Sequence, residues 1–163
     1  MLGVRAAYEE FHCIGLWLDV LGSRARLREN LRKEVTFLEQ FFAESRLAVE
    51  TIYPRKDKRM IAFGDTFYAE LPTGGAGPIP IDRIVQRSRE FCRGHGAELQ
   101  AIISEGLVYR PRMTESPLED ALKAGAYGGN KSGPDESAAT ERDLWALGYS
   151  QPLAVAVDYE KRL

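Results

Sequence analysis

Residues 11–22 read F-H-C-I-G-L-W-L-D-V-L-G, an almost continuous apolar run closed by Gly22 and interrupted near its end by one acid, Asp19. Such a run predicts a central strand buried on both faces, because a strand with one wet face alternates polar and apolar residues. An unpaired carboxylate inside it would be costly, so Asp19 demands an explanation. Residues 59–71 read R-M-I-A-F-G-D-T-F-Y-A-E-L, two short aromatic and apolar runs flanking Gly64-Asp65. They predict a β-hairpin with its turn on or beside those two residues, ending at Pro72.

Between these stretches the period changes. Ser23 can cap a helix, and Val35, Leu38, Phe41, Phe42, Ser45 and Ala48 recur at three- and four-residue intervals. One or two helices are predicted between Ser23 and Glu50, with Arg24, Arg26, Arg28, Arg32 and Lys33 solvated. Ile81, Ile84, Val85, Ser88, Phe91 and Cys92 mark another amphipathic helix, stopped by Gly94-His95-Gly96. Leu99 to Ser104 reads as a strand, which Leu107 to Tyr109 continues or follows with a new one.

The order βααββαβ predicts an α/β (α+β) fold: a ferredoxin-like antiparallel sheet with helices on one face and an irregular C-terminal extension. In that topology the first and second strands are parallel and the third lies between them. The C-terminal end of the first strand and the tip of the hairpin then share one edge, which makes Asp19 and Asp65 neighbours. Strands about 4.8 Å apart let two carboxylates converge on one cation. Without a cation, two charges about 4 Å apart repel by about 4 kcal/mol at an effective dielectric near 20. Oxygen donors in a wet cleft favour Mg²⁺ or Mn²⁺. Aspartates also serve turn amides, so the spacing alone leaves a structural role open.

A chain of 163 residues, 44% hydrophobic and 28% charged, fits a single domain, 1–163, with a real core. The net charge of −2 and pI near 5.8 predict neither a nucleic-acid nor a membrane partner. An RNA-recognition domain shares the strand order, but the chain lacks the R-G-F-x-F signature. Cys13 and Cys92 belong to no metal-ligand spacing and are expected as buried free thiols, and His12 and His95 as structural residues. No leader-like or membrane-length apolar stretch stands out, which points to a cytoplasmic protein. Residues 111–150 are expected to form an excursion. It would hold a helix from the capping box Ser116-Pro117-Leu118-Glu119 to about Ala124, a mobile loop over 128–137, and a helix from about Ala138 to Leu147. An apolar segment, Pro152 to Val157, closes the chain.

The stretches L-W-L-D-V-L-G-S (16–23) and I-A-F-G-D-T-F-Y-A (61–69) resemble the two metal-binding motifs of class III nucleotidyl cyclases. D-V-L-G is similar to the D-I-L-G of the small bacterial pyrimidine cyclases of the Pycsar anti-phage system. I-I-S-E-G-L-V-Y (102–109) resembles the family's fourth strand, and Q-P-L-A-V-A-V-D-Y-E (151–160) a later segment of its bacterial members. The resemblance implies a two-metal phosphorus–oxygen lyase that converts a nucleoside triphosphate, CTP or UTP, to a 3′,5′-cyclic nucleotide (cCMP or cUMP) and pyrophosphate.

On that resemblance Asp19 and Asp65 are the catalytic pair, Asp19, Val20 (through its carbonyl) and Asp65 bind Mg²⁺ or Mn²⁺, and the amides of Val20, Leu21, Gly22 and Ser23 cradle the phosphates. A homodimer with composite sites and a role in antiviral defence are also implied. Purine-directed members carry a base-reading Lys four residues before the second Asp, where this chain has Ile61. The Asn and Arg that follow the family's fifth strand have no match here, although Arg110, Arg112 and Arg162 are at hand. The alternative is a catalytically inactive cyclase-like module that binds nucleotide or dimerises.

Overall fold

The middle of the sheet is β1 (Tyr8–Val20), the strand announced by the apolar run. In the computed structural model, residues 8–75, 77–111 and 149–162 are described. β1 is followed by α1 (Ser23–Glu29), α2 (Leu31–Ile52), β2 (Arg59–Phe63), β3 (Thr66–Pro72), α3 (Ile81–Gly94), β4 (Leu99–Pro111), β5 (Tyr149–Ser150) and α4 (Gln151–Arg162). The five strands lie in the order β2-β3-β1-β4-β5, and every neighbouring pair is antiparallel. β1 and β2 are therefore parallel with β3 between them, the ferredoxin-like arrangement expected. β4 is one continuous strand through Gly106.

The two faces of β1 are buried for different reasons. Leu16, Leu18 and Val20 join Phe67, Ala69 and Leu71 of β3 beneath α2 and α3, which supply Phe41, Ala48, Val49, Ile84 and Cys92. Trp17 points the other way and packs with Ile61, Tyr68 and Ala156, flanked by Phe63, Ile102, Leu153 and Val157. This second layer is α4. The helices of residues 23–94 share one face as the sequence implied, and the closing apolar segment adds a helix on the opposite face. Ser150 caps it, accepting from Leu153 N–H at 3.2 Å, and Pro152 sits in its first turn, where a missing N–H does no harm.

Two local readings shift. Gly22, at φ 74°, takes the N-cap position of α1 in place of Ser23. On α2 the buried stripe runs through Glu34, Phe37, Leu38, Phe41, Ser45 and Ala48, leaving Val35 41% exposed. Glu34 tolerates burial because Arg26 grips both its oxygens, at 2.9 and 3.0 Å.

Below β5 the α4 side of the sheet holds a buried ion pair. Glu70, fully buried, accepts from Tyr68 Oη at 2.9 Å, from Ser150 Oγ and from Arg110 Nη2 at 3.4 Å. Arg110 also donates to Asp57 O at 2.6 Å. The helices expected at 116–124 and 138–147 and the loop at 128–137 lie outside the described residues. No helix among the described residues is long and apolar enough to cross a membrane.

Candidate metal and nucleotide site

Asp19 is the penultimate residue of β1 and faces Thr66, the first residue of β3. The hairpin brings Asp65 to it. Gly64, at φ 59°, takes the first position of a two-residue turn, where a type II′ geometry needs positive φ, and Asp65 takes the second. Val20 N–H then donates to Asp65 O at 3.2 Å, stitching the hairpin tip to the end of β1. Thr66 Oγ1 donates to Asp19 Oδ1 at 3.0 Å.

The two carboxyls thus stand side by side at one edge of the sheet. Asp19 is only 8% exposed, and its pKa is pushed up from 3.8 to about 6. Burial is the largest cause and the charge of Asp65 the next; the hydrogen bond from Thr66 opposes them, and Glu160 raises the value further. A buried carboxyl whose ionisation a neighbouring acid disfavours is a place where a cation is welcome.

Glu160 was not foreseen, and α4 explains its presence. A Cβ on Gly15 would stand 2.5 Å from Pro152 Cβ, so the helix touches the sheet there. Ala156 lies by Trp17, and Glu160 acts on Asp19. Four helical residues advance about 6 Å and two strand residues about 6.6 Å. Residues 152, 156 and 160 therefore keep step with 15, 17 and 19. The sequence signal was Ser150 followed by proline within one turn, which marks a helix start; the apolar L-A-V-A-V obscured it.

The expected phosphate cradle is half committed elsewhere. Val20 N–H is bound to Asp65 O, and Leu21 N–H donates to Glu98 O at 2.9 Å. Those two amides hold the end of β1 against its neighbours and are not available to a phosphate, a correction to the four-amide expectation. Gly22 and Ser23 remain at the entrance to α1. Ser23 is 1% exposed, and its Oγ has no hydrogen-bond partner among the described residues. Arg26 Nη1 donates to Leu21 O at 2.9 Å and holds this corner closed.

The donors at hand are two carboxylates and backbone oxygen, a hard set that fits Mg²⁺ or Mn²⁺ with water or phosphate completing the shell. Among the described residues no group of three or more His, Cys, Asp or Glu is placed to hold a metal. Glu160 thus contributes its field and not a third ligand.

No family model and no curated protein matches the sequence. Similar solved structures include the guanylyl cyclase domain of the RhoGC fusion protein from the aquatic fungus Blastocladiella emersonii (8% identity, 65% of this chain and 63% of that one, TM-score 0.48). Others are a bacterial light-regulated adenylyl cyclase (16% identity, 68% and 60%, TM-score 0.47) and the adenylyl cyclase CyaB from P. aeruginosa (14% identity, 72% and 74%, TM-score 0.46). The chain spans less than two thirds of the first two.

Other singled-out residues have structural surroundings. Phe41, Phe67 and Tyr68 are core and Phe42 is half-buried beside them, so packing accounts for these aromatics. His12 Nδ1 lies 2.8 Å from Thr73 Oγ1, and His95 packs against Phe91 at a tilt of 37°, centroids 4.4 Å apart. Cys13 and Cys92 are buried free thiols. Arg110 is committed to Glu70, Arg162 lies in the last turn of α4 and not after a strand, and Arg112 is outside the described residues.

Proposed function

We propose that the chain is a nucleotide cyclase that turns a nucleoside triphosphate, CTP or UTP, into a 3′,5′-cyclic nucleotide and pyrophosphate, with antiviral signalling as its role. The observation that carries this reading is the convergence of Asp19 and Asp65 at the open edge of the sheet, where burial first and the charge of Asp65 second push the pKa of Asp19 up. Two divalent cations at this edge would offset charge on the phosphates and ease ionisation of the 3′-hydroxyl. Asp19 and Asp65 orient that end of the substrate, Val20 offers its carbonyl, and Gly22 and Ser23 offer amides to a phosphate. The 3′-oxygen bonds to the α-phosphorus as the bond to the pyrophosphate oxygen breaks. Ile61, 4% exposed in the apolar layer under α4, offers no hydrogen bond to a purine edge, which removes the purine-reading contact without selecting a base. In this reading the protein works as a homodimer whose second subunit supplies the missing transition-state residues.

The test is purified protein with Mn²⁺ and each of the four ribonucleoside triphosphates, with products resolved by mass spectrometry. Cyclic CMP or cyclic UMP from wild type and none from Asp19→Ala or Asp65→Ala is expected. No cyclic product from any triphosphate, under conditions where a known cyclase works, removes the claim. Light scattering that finds only monomer removes the composite site.

A second reading has its own observation. α4 lies across the face that carries Trp17, Ile61 and Tyr68, and two of the expected cradle amides are engaged. A nucleotide-binding or dimerising module without turnover would tolerate both. It predicts triphosphate binding that survives Asp19→Ala and Asp65→Ala.

A further inference from the structure

Independently of the acid pair, the far side of the hairpin carries an unused recognition surface. β2 is the outermost strand on its side of the sheet, and among the described residues nothing pairs with its outer edge. Its register with β3 fixes which backbone groups are free. A two-residue turn makes Phe63 and Thr66 the closing pair, and closing pairs exchange both hydrogen bonds. Phe63, Ile61 and Arg59 therefore point their peptide groups at β3, while Met60 and Ala62 present theirs outward. Each offers one donor and one acceptor to an added strand.

Beside this edge runs a groove of about 570 Å³ between β2 and α2. Its floor is apolar, made by Phe42, Met60, Ala62 and Phe67, and its lining includes the cations Arg46, Lys58 and Arg59 and no carboxylate. Arg46 shares its charge with Glu50 at 3.2 Å on an exposed helix surface. Lys58 Nζ donates to the carbonyl of Arg55 at 2.8 Å, which leaves its charge without a carboxylate counterpart among the described residues.

A strand edge, an apolar trough and a cationic rim together suit one class of ligand. We propose that the β2 edge and the α2 groove form a docking site for an extended acidic peptide of a partner protein, which adds as a further antiparallel strand. Of the side chains it turns to the α2 face, the central ones would drop into the trough and flanking carboxylates would meet Arg46 and Lys58. A second copy of the chain fits poorly. Its own β2, R-M-I-A-F (59–63), would bring no carboxylate to Arg46 and Lys58.

The probe is a fluorescein-labelled peptide of about eight residues with threonine at every other position and, on the face turned to α2, valine in the middle and glutamate at either end, read by anisotropy against the full chain. Its comparators are the same peptide with lysine for glutamate and one with its outward amides N-methylated. The acidic peptide is expected to bind at least about tenfold more tightly than either comparator, since it alone satisfies both edge and rim. Amides of Met60 and Ala62 should gain protection from hydrogen exchange on binding. Ala62→Pro removes an outward N–H but no β3 bond and should abolish binding. Arg46→Glu with Lys58→Glu should weaken it about tenfold and serves as the decisive variant if Ala62→Pro does not fold.

The proposal is overturned by no binding of the acidic peptide at about 1 mM, by equal binding of acidic and basic peptides, or by protection that appears elsewhere. It is also overturned if a short single-stranded oligonucleotide competes as well as unlabelled acidic peptide. A concentration-dependent dimer abolished by Ala62→Pro would assign the edge to a second copy instead.

Discussion

Replacing Asp19 with asparagine should make the fold more stable while removing the proposed chemistry. The side chain keeps its size, Thr66 Oγ1 still finds an acceptor at 3.0 Å, and the new amide can donate to Asp65, where a second carboxylate repelled it. At about 1.4 kcal/mol per tenfold change, moving a carboxyl from 3.8 to about 6 corresponds to about 3 kcal/mol held against the charged form. The folded protein binds this proton more tightly than the unfolded chain, so stability falls as pH rises from 3.8 to about 6 and the full penalty is present above that window. Asp19→Asn removes the penalty. Urea unfolding should therefore show the variant ahead of wild type by about 3 kcal/mol at about pH 7.5, with the gap closing at about pH 4.

Mn²⁺ at a hundredfold excess over its dissociation constant should add about 2.7 kcal/mol to wild type and almost nothing to Asp19→Asn. The reasoning fails if the variant is less stable than wild type at neutral pH, if the gap does not change with pH, or if Mn²⁺ stabilises both proteins equally.

Three other perturbations report on the frame around the site. Glu70→Ala strands Arg110 in a buried position and should cost about 3–5 kcal/mol in urea unfolding, whereas Glu70→Leu with Arg110→Leu should recover most of it. Gly15→Ala places a methyl 2.5 Å from Pro152 Cβ; expect about 1–3 kcal/mol of destabilisation, with hydrogen exchange rising first in α4. Burial pushes the Cys13 thiol up to about 12 and the Cys92 thiol up to about 11, so iodoacetamide at about pH 8 should label neither in the folded protein and both in urea.

How much of this was legible follows from where the sequence pattern is strong. The apolar run through Leu16-Trp17-Leu18 and the Gly64-Asp65 turn each have a single reading, and together they dictate that the two acids meet. Leu99–Pro111 could be read as one strand or two because Gly106 looks like punctuation. In the folded chain it is bare because Gln151 Cβ would stand 2.8 Å from a side chain there. The commitment of the Val20 and Leu21 amides was hidden for a different reason: their acceptors, Asp65 O and Glu98 O, are backbone atoms, which leave no trace in side-chain chemistry. Glu160 was missed because L-A-V-A-V suits strand and helix alike, and a short apolar run cannot separate them. Val35 was misplaced because an acid, Glu34, holds the buried position one residue before it, and its burial rests on Arg26 from another helix.

The matched stride of α4 and β1 has a mechanical corollary. Gly15 acts as a notch that fixes where the helix sits along the strand, and sliding by a turn would lift a side chain onto Trp17. The negative field that Glu160 casts on Asp19 is thereby gauged by contact at a position about 13 Å up the strand. Substitutions at the notch would retune the acidity of the edge without touching any residue near it.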